Sequence, residues 1–358
     1  MDLFLAGSGS ALSGSGSALY SGCGSSASDG AIAASRRSAI FETFAIADRK
    51  TGFAGGAEKL MPITRSVRTS DLQIAYQESG PNHGPPVILL HGWPSDPRDW
   101  DGVAPALASG GCRVLVPWLR GFGPTRFLDA STPRSGQQAA LGADARAFMD
   151  ALGIRQALLV GYDWGGRGCC VAAALWPERV RGLVSITGYN IQNISSSAHP
   201  VTPAQEQRYW YQWYFQTERG RAGLQQNRRD ICRLLWGLWS PNWQFDDATF
   251  AATADSFDNP DFVDVTIQSY RHRYANAPGD PRLEPFEERL AKRPSIMVPT
   301  IVLHGECDGV APPTQSVDHA KHFAARFLRR VVPVAGHFLA REAPDTVVQA
   351  VYDLLGQT

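Results

Sequence analysis

The chain has no excess of charge in either direction: across 358 residues, 34 Lys and Arg stand against 34 Asp and Glu. A balanced surface creates no long-range field to gather a polyanion, which argues against nucleic acid and anionic membrane as partners. Long apolar runs are missing as well. Without a stretch of about 18 apolar residues, no membrane-spanning helix is expected. Cysteine is sparse, with six residues and no C-x-x-C pair, and Cys169 and Cys170 are neighbours that a helix would turn to different faces. So long a chain with so few cysteines is no disulfide scaffold, and reduced, buried thiols are expected. No G-x-G-x-x-G follows the first strand and no H-E-x-x-H occurs, so neither cofactor nor metal is expected.

The segment 1–60 stands apart from the rest. From Met1 to Ser35 it is mostly Gly, Ser and Ala, and no basic residue precedes Arg36. Such a composition buries too little apolar surface to offset its ordering entropy, so a disordered extension is expected, with Met61 as an alternative start. It lacks the basic and apolar regions of a secretory signal, and a cytoplasmic location follows from the absence of any clear targeting pattern.

From residue 61 the pattern changes to short apolar runs alternating with amphipathic stretches. Val87–Leu90, Cys112–Val116, Ala157–Val160, Val180–Thr187, Thr300–Leu303 and Arg329–Val334 read as strands. Helices are expected at Gly142–Leu152, Val171–Leu175 and Asp345–Leu355. Apolar strands without alternation, separated by helices, predict an α/β fold with a mostly parallel sheet covered on both faces. One block breaks the rhythm. Residues 191–295 carry no strand signal and hold Trp210, Trp213, Trp236, Trp239 and Trp243, half of the ten tryptophans. They read as an all-helical cap inserted between 61–190 and 296–358, over the carboxyl ends of the strands where ligands bind.

The most informative segment is Gly161-Tyr-Asp163-Trp-Gly165-Gly166, which follows a strand and opens a helix. This is the G-x-nucleophile-x-G spacing of a strained turn that lifts its central side chain above the sheet. Here that side chain is a carboxylate. With a reference pKa near 3.9, Asp163 needs no activating base to be anionic at neutral pH. Carboxylates displace well at saturated carbon and poorly at acyl carbon, so the expected intermediate is an alkyl ester of the protein. Epoxides and carbon–halogen bonds are the fitting electrophiles.

Two partners should follow in chain order, an acid and then a histidine. Asp308 lies just beyond the Thr300–Leu303 strand, with Glu306 as the rival acid, and His337 lies in the loop after the next strand. Asp308 would orient the imidazole, and His337 would draw a proton from the water that attacks the ester. An oxyanion needs two donors, expected from the backbone N–H groups of Trp164 and of Trp93 in His91-Gly-Trp-Pro94. His91 and His304, close to strand ends, read as structural.

These motifs, with Arg120-Gly-Phe-Gly123 and Gly336-His337, resemble the α/β-hydrolase superfamily, in its branch of epoxide hydrolases and dehalogenases with an Asp nucleophile. The resemblance covers about residues 63 to 355, and Trp118 departs from the Asp usual before the Arg-Gly turn. It implies an α/β-hydrolase fold with a helical cap. Tyr211-Gln-Trp-Tyr-Phe-Gln216 and Ser269-Tyr270-Arg271 resemble the cap segments of epoxide hydrolases whose tyrosines face the nucleophile. Tyr211 and Tyr270 would then polarise the epoxide oxygen, with Tyr209, Tyr214 and Tyr274 as alternatives, and Trp213 and Phe338 would line the pocket. The implied partners are water and a small, largely apolar electrophile. The rival activity is a haloalkane or haloacetate dehalogenase. Trp164 resembles the halide-holding Trp of the first, although those enzymes usually carry Asn where Trp93 stands. Asp163 and Arg167 match the D-x-G-G-R spacing of the second, which usually carries Arg where Trp164 stands. A non-catalytic ligand-binding protein on the same fold is the alternative of another class.

Overall fold

A computed structural model describes residues 63–356, so the expectations for residues 1–60 and for Cys23 lie outside the described residues. Nine strands form one sheet: β1 (Ile63–Arg68), β2 (Leu72–Ser79), β3 (Pro86–Leu90), β4 (Arg113–Pro117), β5 (Arg126–Phe127), β6 (Ala157–Tyr162), β7 (Val180–Ile186), β8 (Thr300–Gly305) and β9 (Phe327–Val332). Their order is β1-β2-β4-β3-β6-β7-β8-β9, with β5 pairing beside β2. The run from β4 to β9 is parallel throughout, whereas β1 and β2 are antiparallel to their neighbours. Every residue of β6 and β8 is buried, which requires layers on both faces of the sheet and explains their unbroken apolar character.

The six apolar runs read as strands are all strands, with the last beginning two residues earlier than expected. β1 and β2 carried no comparable signal. β1 is Ile-Thr-Arg-Ser-Val-Arg, almost wholly exposed at the sheet's edge, so no apolar run marks it. The Asp163–Leu175 helix also starts earlier than Val171, because its Gly-rich first turns are already helical.

Between β7 and β8 the chain is helical, as the family resemblance implies. The helices are Pro203–Arg208, Trp210–Tyr214, Glu218–Trp239, Asp247–Ala254, Phe262–Arg273 and Glu284–Ala291. The longest is capped by Thr217, whose Oγ1 accepts the Gly220 N–H at 2.9 Å, and it bends at Asn227 (φ −123°, ψ 30°). Its buried residues include Leu224, Cys232, Leu235, Trp236 and Trp239. The last helix behaves differently: Phe286 sets its ring edge-on to Trp176 at 5.2 Å, and Arg289 reaches the Leu175 carbonyl, so it flanks the core.

Cap and core are joined by hydrogen bonds as well as apolar contact. Trp236 donates its indole N–H to the Pro94 carbonyl at 2.8 Å, and Trp93 donates its own to Thr266 Oγ1 at 3.0 Å. Cys112, Cys169, Cys170 and Cys232 are buried free thiols, and Cys307 is partly exposed. Burial pushes the thiol pKa of Cys169 and Cys232 well up, which keeps them protonated and unreactive. Among the described residues no three His, Cys, Asp or Glu side chains converge as a metal site, and no helix is long and apolar enough to cross a membrane.

Trp236 is fully buried among Trp243, Phe245, Phe250 and Phe338, with the Arg341 guanidinium 4.9 Å from its ring. Trp236→Ala is expected to lower the unfolding free energy by about 3–5 kcal/mol, measured by urea denaturation.

Candidate active site

The turn after β6 is built by close backbone approach. A Cβ on Gly165 would lie 2.0 Å from the Leu90 carbonyl oxygen, and one on Gly161 would lie 2.5 Å from the Gly165 carbonyl carbon. No other residue type fits either place. The chain is thereby forced through a left-handed conformation at Asp163 (φ 48°), an uncommon state for a side-chain-bearing residue. Asp163 then opens the Asp163–Leu175 helix with its carboxylate above the sheet.

Three further groups arrive from the carboxyl ends of other parallel strands. Beyond β3, the Trp93 N–H donates to Asp163 Oδ1 at 2.8 Å. Beyond β9, His337 Nε2 stands 3.9 Å from Asp163 Oδ2 and has no hydrogen-bond partner. Beyond β8, Asp308 Oδ2 accepts the His337 Nδ1–H at 2.8 Å. Asp308 is itself fixed, its Oδ1 accepting the N–H groups of Val310 (2.9 Å) and Ala311 (2.7 Å). That bond sets the tautomer, so Nε2 carries the free lone pair that faces Asp163. Glu306 is not in contact with the imidazole; its carboxylate meets the Val334 N–H at the surface.

Burial works against a charge on His337, but the Asp308 carboxylate and its hydrogen bond outweigh it, with help from Asp163 and Glu342, so its pKa is raised above 6.5. The other two strand-end histidines differ. His91 Nε2 accepts the Leu119 N–H at 3.0 Å and its Nδ1–H donates to the Gly92 carbonyl; burial keeps it neutral. His304 is spanned by Ser316 Oγ and the Ala311 carbonyl. Both are structural.

The backbone N–H of Trp164 lies in the first turn of its helix, where no intrahelical acceptor exists. The Trp93 N–H contacts the Asp163 carboxylate directly, and the Trp164 N–H follows it in the chain. Its indole lies 6.4 Å from the Trp93 ring, nearly parallel, and its Nε1 is buried without an acceptor.

Above Trp93 sit both cap tyrosines. Tyr211 stacks on its ring at 5.7 Å, Tyr270 meets it edge-on at 5.2 Å, and the two phenols are 5.4 Å apart. Burial raises both phenol pKa values, as does the charge of Asp163, so both O–H groups stay protonated as donors. Gln212 Nε2 donates to the Tyr211 oxygen at 2.8 Å, which fills an acceptor position and leaves the phenolic proton free to be given elsewhere. Tyr274 donates to Gln212 Oε1, fixing that amide's orientation.

Trp213 is not brought into this cage. The short helix that buries Tyr211 turns Trp213 outward, 39% exposed, with its indole N–H on Glu206 and its ring on Tyr274. It lines an outer cavity of about 500 Å³ with Gln192, His199, Tyr209 and Arg273. Phe338 is buried behind the imidazole, stacked on Trp239 at 6.3 Å, and supports the site rather than facing it. One neighbour was singled out in the sequence only through the D-x-G-G-R spacing of the rival activity. Arg167, one helical turn past Asp163, is buried, makes no ion pair, and its Nε has no acceptor. Gln212, Ser240 and Glu342 were missed, for their roles depend on contacts; a Gln next to Tyr211 in an aromatic segment was the one visible signal.

A carboxylate on a strained turn, an Asp-oriented histidine and backbone donors at strand ends define a hydrolase of the α/β type. The model of the α/β hydrolase fold family matches residues 85–344, and the chain belongs to that family. Epoxide hydrolase A of Mycobacterium tuberculosis is 26% identical over 323 residues, 82% of this chain and 97% of that protein. A crystal structure from Klebsiella pneumoniae, provisionally named an epoxide hydrolase, is 49% identical with a TM-score of 0.80, covering 81% of this chain and 96% of that one. A haloalkane dehalogenase loop variant from Bradyrhizobium elkanii shares the fold at 22% identity and a TM-score of 0.65, over 83% and 97% of the two chains.

The His337–Asp308 pair has a pH signature. Because the folded-state pKa of His337 is raised, its protonation favours the fold: that contribution is full below about pH 6.5 and is lost as pH rises through the raised value. An NMR titration of the ring nitrogens should place the midpoint above 6.5. In Asp308→Asn burial acts with less opposition, and the midpoint should fall markedly; an unchanged midpoint would contradict the assignment.

Proposed function

We propose that this chain is an epoxide hydrolase that works through a covalent ester on Asp163. The observation that carries the proposal is the disposition of that carboxylate. It projects from a strained turn between the Trp93 N–H and the bare Nε2 of His337, with the buried phenols of Tyr211 and Tyr270 close by. The similarity to epoxide hydrolases of Mycobacterium tuberculosis and Klebsiella pneumoniae supports the same reading.

In the first half-reaction an Asp163 oxygen attacks an epoxide carbon and the carbon–oxygen bond of the ring breaks. The leaving alkoxide takes a proton from Tyr211 or Tyr270, giving a hydroxyalkyl ester and a phenolate. In the second, water gives a proton to His337 Nε2 and adds to the ester carbonyl carbon. The oxyanion is held by the N–H groups of Trp93 and Trp164. Collapse restores the Asp163 carboxylate; the departing alkoxide takes the remaining water proton and leaves as the diol. The imidazolium proton returns to the phenolate, which closes the cycle with one water consumed. Asp308 holds the imidazole and balances its charge.

The aromatic surround of Trp93, Tyr211, Phe215 and Trp239 suits a small, largely apolar epoxide, and residues 191–295 serve as its cap. The buried free thiols of Cys112, Cys169, Cys170 and Cys232 fit a reducing compartment such as the cytoplasm.

Two orphaned donors favour a second reading, carbon–halogen cleavage at the same carboxylate. The Trp164 indole N–H could hold a leaving halide, and Arg167 could pair with a haloacid carboxylate. The first is incomplete, because the Trp93 indole N–H is committed to Thr266.

Purified protein assayed on styrene oxide, 1-bromobutane and fluoroacetate separates these activities. Diol from styrene oxide is expected; halide release without diol formation would overturn the proposal, and binding without turnover of any of the three would indicate a receptor. His337→Gln should lower turnover by about 10⁴-fold while gaining one equivalent of epoxide mass, and Asp163→Asn should gain none.

A further inference from the structure

The histidine loop is held by acceptors from the far-off end of the long cap helix and from the short helix that follows the loop. Three successive N–H groups, of Gly336, His337 and Phe338, donate to Glu342 Oε2 (2.8 Å), the Trp239 carbonyl (3.1 Å) and Ser240 Oγ (3.0 Å). Ser240 Oγ in turn donates to Glu342 Oε1 at 2.6 Å. The same Trp239 carbonyl also accepts the N–H of Gly309, one residue past Asp308, at 2.9 Å.

Trp239 ends the long cap helix and Ser240 is its C-cap. Carbonyls in a last helical turn lack intrahelical donors and carry partial negative charge. Here one such carbonyl takes an N–H from the acid's loop and another from the base itself. Ser240 is fully buried, and a Cβ on Gly336 would lie 2.5 Å from its Oγ, so the loop has no room to shift past it. Asp163 is outside this arrangement: its position comes from the Gly161–Gly165 turn and its hydrogen bond from Trp93.

We infer that Ser240 and Glu342, with the Trp239 carbonyl, form a positioning clamp that aims the His337 imidazole and thereby governs ester hydrolysis rather than ester formation. The clamp rests on the Asp163-ester reading for its kinetic consequence, though not for its effect on the imidazole. Glu342 acts on His337 in two ways, through the backbone N–H it accepts and through its charge. The charged or titratable groups around the ring are Asp308 on the loop after β8, Asp163 on the nucleophile turn, Glu342 on its own loop's continuation, and His304 on β8; Tyr162 and Trp239 pack against its faces. Among the three carboxylates Glu342 alone neither contacts the imidazole nor carries the ester, so its charge can be removed with the reacting set intact.

Two variants and two readouts test this. Glu342→Gln keeps an acceptor for Gly336 and a polar partner for Ser240 but loses the charge. Its His337 ring nitrogens should titrate at lower pH than in the wild type by NMR, and the acidic limb of kcat should move down with them. Ser240→Ala removes the acceptor of Phe338. With styrene oxide, the ratio of ester hydrolysis to ester formation in single-turnover kinetics should fall at least tenfold, and intact mass at steady state should show more protein carrying the adduct. An unmoved titration in Glu342→Gln, or equal slowing of both half-reactions in Ser240→Ala, would overturn the clamp. Absence of any adduct in the wild type and in His337→Gln would instead sink the Asp163-ester reading, and the NMR titration would still decide the clamp.

Discussion

The site depends on one backbone contact: Gly165 lies against the Leu90 carbonyl so closely that a single methyl group would occupy the same space. That approach brings the start of the Asp163–Leu175 helix against the end of β3. It presses Asp163 into a left-handed conformation and sets its carboxylate within 2.8 Å of the Trp93 N–H. Everything else is arranged around this point. β8 and β9 deliver Asp308 and His337 from one side, and the cap brings Tyr211 and Tyr270 from above. A serine placed on the same turn would need its proton removed before attack; an aspartate does not, which leaves the histidine free to serve water instead.

The two halves of the proposed reaction draw on different parts of the fold. Ester formation uses the turn and the phenols, whose protons are retained by burial and made directional by the Gln212 bond to Tyr211. Ester hydrolysis uses the imidazole, whose loop is anchored by the end of a cap helix, through Trp239 and Ser240, and by Glu342 from the short helix that follows it. On the proposed reaction the helical insertion would serve both halves. It would supply the phenolic donors of the first half-reaction, and its Trp239–Ser240 end would help hold the base of the second.

Groups carried by local patterns were legible from the sequence alone. Asp163, Asp308 and His337 each lie just past a short apolar strand, and a parallel sheet gathers the carboxyl ends of its strands whatever the loops between them. The choice between Asp308 and Glu306 was less local, since both follow β8; the turn's backbone N–H groups capture Asp308 and leave Glu306 on the surface. β1 left no mark because an exposed antiparallel edge needs no apolar run, and β2 because Gln73 interrupts and Gln77 ends its buried Leu72, Ile74, Ala75 and Tyr76. Trp213 was expected at the pocket on its residue type, but helix phase decides, and two positions past Tyr211 the chain faces outward. The Ser240–Glu342 contact bridges residues far apart in sequence, and no spacing rule announces it.

The central claim is that an Asp163 oxygen, and not water, forms the first new bond to the substrate. A single turnover in H₂¹⁸O with enzyme in excess over styrene oxide tests it directly. The account predicts an unlabelled diol and ¹⁸O in the peptide that contains Asp163, because the diol takes its new oxygen from the carboxylate and water refills the carboxylate. A diol carrying ¹⁸O in that first turnover, with no label in the peptide, would contradict it.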